Sequence, residues 1–281
     1  MGHRSRHHFD NMDHELTMSL VAQHTQDKTI LMYVERFLKA KAIREDGTQI
    51  VRTKGTPQGG VISPLLANLY LHEAFDMWMQ KAFPDIAFER YADDIIVHCV
   101  SEKQAQYILD KIKKRLLQFK LELHPDKTKI VYAGKDKNPD SNPSRKFTFL
   151  GYEFKPRGYW YKNKAFTVFT PAIGGKALKK IQKTMDGWNF HSKTFVKLKD
   201  LAKAHDAVIR GWINYYGHFR RGELYKLAHR IDAKLAKWLK RKHKSLHTFT
   251  KAYDALNLVK QKCPKLFSHW YMISQDPTRA V

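Results

Sequence analysis

Between residues 9 and 43 the positions Leu16, Leu20, His24, Ile30, Val34, Phe37 and Leu38 recur at helical spacing, and Asp13 stands where an N-cap belongs. The pattern predicts helix across this stretch. Residues 44–54 change character, and Asp46-Gly47 is a turn pair that predicts a hairpin. Ser63-Pro64 offers a capping hydroxyl and then a proline for the first helical position. From Leu65 to about Lys81 the residues Leu65, Leu66, Leu69, Leu71, Phe75, Trp78 and Met79 surround most of a helix, which predicts burial. Residues 102–120 carry Ala105, Ile108, Leu109, Ile112, Leu116 and Phe119 on one side and lysines on the other.

Strand patterns alternate with these helices. Phe88 to Cys99 holds two apolar runs interrupted by Asp93-Asp94, at the point where a hairpin would turn. Residues 121–131 read as strand, turn and strand, and 134–146 as a polar loop. Phe147 to Phe154 alternates and is expected to pair with 159–168 across Pro156-Arg157-Gly158. Beyond Pro171 to Gly175 the pattern is helical throughout. Leu178 to Trp188, Leu198 to Phe219 and Leu224 to Trp238 form three amphipathic helices, with a fourth expected over 249–259. The fold class is therefore α+β: a partial antiparallel sheet with helices, then an all-α bundle.

Charge narrows the function. Lys and Arg number 51 against 27 Asp and Glu, a net charge of +24. Such an excess repels itself, and a polyanion relieves it, so nucleic acid leads and a membrane surface comes second. From 176 to 265 there are 23 Lys and Arg against 6 Asp and Glu, so most of the excess lies in the helical part. One sign dominates so heavily that a phosphate-binding surface explains it better than solvation alone. Cys99 and Cys263 make neither a disulfide framework nor a zinc pattern, and no run approaches the ~18 apolar residues of a membrane span. Met1 to His8 is basic without an apolar stretch, so it does not read as a secretory signal.

Asp93-Asp94 is the sharpest chemical feature. Two carboxylates held together repel each other, and a hard divalent cation such as Mg²⁺ balances them directly. A surface turn also carries such pairs, so these two residues alone do not decide. Their setting does. Gly55-Thr56-Pro57-Gln58-Gly59-Gly60, Tyr91-Ala92-Asp93-Asp94, Leu123-His124-Pro125-Asp126-Lys127-Thr128-Lys129 and Phe149-Leu150-Gly151-Tyr152 follow in order. Together they resemble the palm of group II intron-encoded reverse transcriptases/maturases. Arg210-Gly211-Trp212-Ile213-Asn214-Tyr215-Tyr216-Gly217 is similar to the maturase segment of that family, the thumb or domain X.

The resemblance implies a reverse transcriptase fingers/palm part over 1–170 and a thumb/maturase RNA-binding part over 171–281. It implies RNA-directed DNA polymerisation and intron-RNA binding that assists splicing. Its partners would be group II intron RNA, an RNA template with a DNA primer, and dNTPs, with no membrane. It implies Mg²⁺ at Asp93 and Asp94. Phe9, Pro57, Gln58, Gly59 and Gly60 would meet template and nucleotide, with Lys127 or Lys129 near the triphosphate. Arg210, Lys234, Lys237, Lys240, Arg241 and Lys242 would face RNA. One element departs from the family pattern. Where the family has its first metal-binding Asp, this sequence has Arg4, followed by Phe9-Asp10-Asn11-Met12-Asp13-His14. Read this way, the chain begins inside the palm and is inactive alone, and a second chain would supply the missing part. The alternative is a non-catalytic RNA-binding splicing cofactor. The expected location is a bacterial cytoplasm.

Overall fold

Asp13 begins the first helix by accepting a hydrogen bond from the Leu16 amide at 3.0 Å. The computed structural model describes residues 12–43, 46, 48–50, 53–56, 60–134, 144–162 and 164–275. The chain divides into compact units at 1–130 and 131–281. The sheet formed by residues 147–173 lies in the second unit with the helices after it.

In the first unit, α1 (His14–His24) and α2 (Lys28–Lys39) replace the single helix expected over 9–43. The break has a local cause. Asp27 starts a new helix by accepting from the amides of Thr29 at 2.7 Å and Ile30 at 3.3 Å. A second aspartate cap competes with helix continuation. Strands β1 (Ala42–Ile43) and β2 (Gln49–Ile50) pair antiparallel as the Asp46 turn predicts, and the Asp46 carboxylate accepts from the Thr48 amide at 2.9 Å.

Helix α3 (Ser63–Leu71) runs through a π-turn (His72–Asp76) into α4 (Met77–Ala82). Ser63 is the first helical residue rather than the cap. Ile62 occupies the cap position in a helical conformation and makes no side-chain capping bond, while the Ser63 amide is already bonded to the Gly60 carbonyl. Burial is also more one-sided than expected. Leu66, Ala67, Tyr70, Leu71, Phe75 and Met79 face inward, but Leu65 is 67% exposed. Helix α5 (Glu102–Gln118) starts at Ser101, whose hydroxyl accepts from the Gln104 amide. It buries Ile108, Ile112 and Leu116 against that inward face. Burying each such side chain contributes about 1.5–3 kcal/mol. The strands expected in 121–131 do not form. The amides of Lys127 and Thr128 bond back to the His124 carbonyl, so the segment closes on itself as a turn.

In the second unit, β5 (Phe147–Phe149), β6 (Tyr152–Tyr161) and β7 (Lys164–Ile173) make an antiparallel sheet in that order. The turn expected at Pro156-Arg157-Gly158 is instead mid-strand, with Pro156 opposite Phe169 and Gly158 opposite Thr167. Strand β5 pairs with β6 only as far as Phe154, so beyond it one edge of β6 is open within the sheet. There the missing proline N–H interrupts no ladder. Strand β5 turns into β6 at Leu150-Gly151, where φ is +49° and +82°, and β6 turns into β7 between Tyr161 and Lys164.

The helices follow as predicted in number and order: α6 (Gly175–Gly187), α7 (Leu198–Tyr216), α8 (Glu223–Lys242) and α9 (Phe249–Lys262). Helix α10 (Ser268–Ser274) goes beyond the sequence pattern, since seven residues are too few to show a period. Ile181, Met185, Ile209, Leu227, Ile231, Leu235, Trp238, Leu256 and Trp270 form the shared core.

Candidate active site

Strands β3 (Phe88–Tyr91) and β4 (Asp94–Val97) pair with Phe88 opposite Val97 and Tyr91 opposite Asp94. Ala92 and Asp93 alone make the link. So short a turn twists the backbone, and Ala92 adopts φ +53°. A left-handed alanine costs about 1–2 kcal/mol. Arg90 holds the turn in place. Its Nη1 donates to the Ala92 carbonyl at 3.1 Å and to Asn68 Oδ1 at 3.0 Å. Its Nε and Nη2 grip the Asp76 carboxylate at 2.7 and 2.5 Å. The tip carrying both aspartates is thereby tied to α3 and the π-turn.

Asp94 is exposed and Asp93 half-buried. Neighbouring protein atoms strip part of the water from the otherwise exposed Asp94 carboxyl and raise it above its ordinary value, the Asp93 charge adds to this, and Lys127 pulls it back down. Proton affinity raised by a like charge marks a place where a cation would stabilise both carboxylates. Their oxygens suit a hard divalent ion. Among the described residues, no group of three or more His, Cys, Asp or Glu could hold a metal ion. Asp13 is no substitute: it caps α1 and pairs with Lys120 at 2.5 Å.

The turn before the expected template loop is anchored to α1. The Gly55 amide donates to the Met12 carbonyl at 2.7 Å, and His14 Nε2 lies 2.7 Å from the Gly55 carbonyl. Phe9, Pro57, Gln58 and Gly59 lie outside the described residues, whereas Gly60 is described and leads into α3. Lys127 comes within electrostatic reach of Asp94; Lys129 is exposed on the same turn segment. Under the aspartate turn, Ala67, Tyr70, Leu71 and Leu121 line a cavity of about 40 Å³. That is far below the ~300 Å³ of a typical ligand pocket.

The reverse transcriptase (RNA-dependent DNA polymerase) family matches residues 6–154, more than half of the chain. The group II intron, maturase-specific domain matches residues 178–254. This chain is a group II intron reverse transcriptase/maturase by family. It is 25% identical to the group II intron-encoded protein LtrA of Lactococcus lactis subsp. cremoris, over 84% of this chain and 51% of LtrA. It is 30% identical to protein YkfC of Escherichia coli (strain K12), over 45% of this chain and 41% of that protein. An uncharacterized 91 kDa protein in the cob intron of Schizosaccharomyces pombe is 23% identical, over 74% of this chain and 33% of that protein. The chain spans about half the length of LtrA. A reverse transcriptase match over so much of the chain disfavours the reading as a non-catalytic splicing cofactor. Among the described residues, no helix is long and apolar enough to cross a membrane.

In the maturase part, the structure separates the six cations expected to face RNA. Arg210, Lys237 and Lys240 are exposed. Lys242 is occupied, donating to the carbonyls of Thr194 and Val196 at 2.7 Å each. Lys234 pairs with Asp186 at 2.7 Å, and Arg241, though exposed, reaches the His191 carbonyl at 3.4 Å. Sequence reading missed Arg90, Asp76 and Asn68. The only signal was the position of Arg90 beside the motif, because its partners are remote in the chain.

Proposed function

We propose that this chain carries the active-site hairpin and the RNA-binding helical part of an RNA-directed DNA polymerase that also holds group II intron RNA during splicing. The observation that carries this reading is the clamped Ala92-Asp93 turn, which presents two carboxylates at the tip of a hairpin. Residues 1–170 form the polymerase part and 171–281 the maturase part, a division supported by family matches at 6–154 and 178–254.

Asp93 and Asp94 would hold Mg²⁺, which supplies positive charge to stabilise the attacking and leaving oxygens of phosphoryl transfer. Arg90 holds both carboxylates at a fixed place on the hairpin. Lys127 offers its charge beside Asp94 toward the triphosphate of a dNTP. Gly60 and the residues before it meet the template. The cage requires a carboxylate beyond these two, and Arg4 cannot provide it because a guanidinium is a cation without a lone pair to give. The third ligand, in our reading, comes from further polypeptide, on the same protein or a second chain, in a bacterial cytoplasm.

Primer extension with an RNA template, a DNA primer, dNTPs and Mg²⁺ tests this. The 281 residues alone should extend poorly. Adding the N-terminal half of a relative should restore synthesis, and Asp93→Ala should abolish it. Robust extension by the chain alone would refute the incomplete-cage reading. Restored synthesis that survives Asp93→Ala would refute the hairpin as the active site.

A further inference from the structure

The outer half of the β6–β7 ribbon has exposed rings on both faces. Tyr159 and Phe166 stand directly opposite each other with centroids 5.2 Å apart, and they are 51% and 41% exposed. Val168 continues the same face, two pairs closer to the ribbon's base, at 38% exposed. Trp160 points to the other face opposite Ala165 and is 74% exposed. Lys162 and Lys164 flank the tip of the ribbon, while Lys155 and Arg157 nearer its base pair with Glu153 at 2.5 and 3.6 Å. A further cation arrives from outside the sheet, since Arg220 donates to the Gly158 carbonyl at 3.2 Å.

From this we infer that the ribbon tip is a stacking platform for unpaired nucleotides of a single-stranded RNA or DNA segment. The inference deepens the proposed function and rests on it. Rings stack on base faces, and every unpaired base offers such a face, whereas a duplex hides it. Lysines beside the rings meet the phosphates. The placement of charge disfavours two other occupants. A membrane-inserting loop carries apolar residues at its tip, but here Lys162 and Lys164 flank the tip and the rings stand behind them. A second copy of the ribbon tip would bring Lys162 and Lys164 against their like, with no acidic residue from Gly158 to Val168 to pair them.

The test uses the full chain with a fluorescently labelled oligouridylate and a blunt RNA duplex of equal length. Trp160→Ala and Tyr159→Ala should each weaken oligouridylate binding roughly tenfold, in line with the loss of one stacked base. Duplex binding should stay within twofold, as roughly expected where no base face is used. Tyr159→Phe, which keeps the ring, should bind oligouridylate like the wild type. Equal losses for both RNAs, or no loss for either, would overturn the inference. Variants that lose binding to phosphatidylserine vesicles but keep oligouridylate affinity would overturn it in favour of a membrane. Variants that merely dissociate a dimer, with oligouridylate affinity unchanged, would overturn it in favour of self-association. If the wild type binds both RNAs and the variants match it, this inference falls alone; if the wild type binds neither, the proposed function falls with it.

Discussion

Arg90 and Asp76 form a two-pronged ion pair, with Nε–Oδ1 at 2.7 Å and Nη2–Oδ2 at 2.5 Å, directly behind the aspartate turn. Their side chains are only 11% and 13% exposed, so water screens the pair weakly. The fork geometry uses both carboxylate oxygens and leaves Nη1 to reach Ala92 and Asn68.

Breaking this pair should destabilise the first unit. Asp76→Ala leaves a mostly buried guanidinium without its counter-charge, at a cost of about 3–5 kcal/mol. Arg90→Lys keeps the charge but loses the fork and its third prong, so it should also fall short of wild type. Thermal melting followed by circular dichroism checks both. An unchanged midpoint for Asp76→Ala would show that the clamp contributes nothing.

The maturase part should lose stability on acidification in two steps. Asp232 is fully buried and accepts from Lys260, His269 and Trp270. Burial pushes its carboxyl up, but hydrogen bonds from His269 and Lys260 outweigh this and hold it below the ordinary range. Burial pushes His269 down, against the pull of Asp232, so its ring is neutral, with Nε2–H donating. Both folded values lie below the unfolded ones, so the unfolded chain binds protons first. The His269 contribution is complete above about pH 6.5 and shrinks below it; the Asp232 contribution begins to shrink only below about pH 4. Denaturant midpoints across this range should fall first near pH 6. Replacing His269 by Gln should shrink that first step, to which His205, also pushed down by burial, contributes the rest, and leave the second.

Neutralising Lys237 and Lys240 should weaken RNA binding without unfolding, because both are exposed. The slope of log affinity against log salt should shrink by roughly one for each phosphate that the variant no longer neutralises. Lys242→Ala should instead destabilise, since its ammonium closes the carbonyls of Thr194 and Val196 and lies 5.3 Å from the centre of the Trp238 ring. Filter binding across a salt series, paired with melting curves, separates the two behaviours. A Lys242→Ala protein that melts normally but binds RNA poorly would contradict this assignment.

Gly151→Ala should loosen the sheet where it meets α7. Gly151 has φ +82°, and a Cβ there would come within 2.8 Å of the Tyr216 hydroxyl. The left-handed backbone alone costs an alanine about 1–2 kcal/mol. Hydrogen exchange should speed up around Leu150, whose carbonyl accepts from the Tyr215 hydroxyl at 2.8 Å. Unchanged exchange there would argue against a tight turn.

The sequence by itself determined what depends on neighbours in the chain. Helical periods marked α5 to α9, because a buried stripe must recur every three or four residues. Asp93-Asp94 between β-prone runs marked the hairpin tip, because a two-residue link needs few residues to specify it. Tertiary structure decided what depends on partners distant in sequence. The split of one helical pattern into α1 and α2 is the exception: Asp27 makes it locally, by capping Thr29 and Ile30, although the period carries on across the break. Pro156 remains in β6 because β5 ends its pairing before reaching it, and no local rule reveals an open edge. Lys242 and Lys237 are alike in the sequence; only the carbonyls of the Thr194 to Val196 turn give one a structural role and leave the other to solvent. Arg90 likewise has the form of any surface cation until the chain folds and brings Asp76 and Asn68 within hydrogen-bonding distance of it.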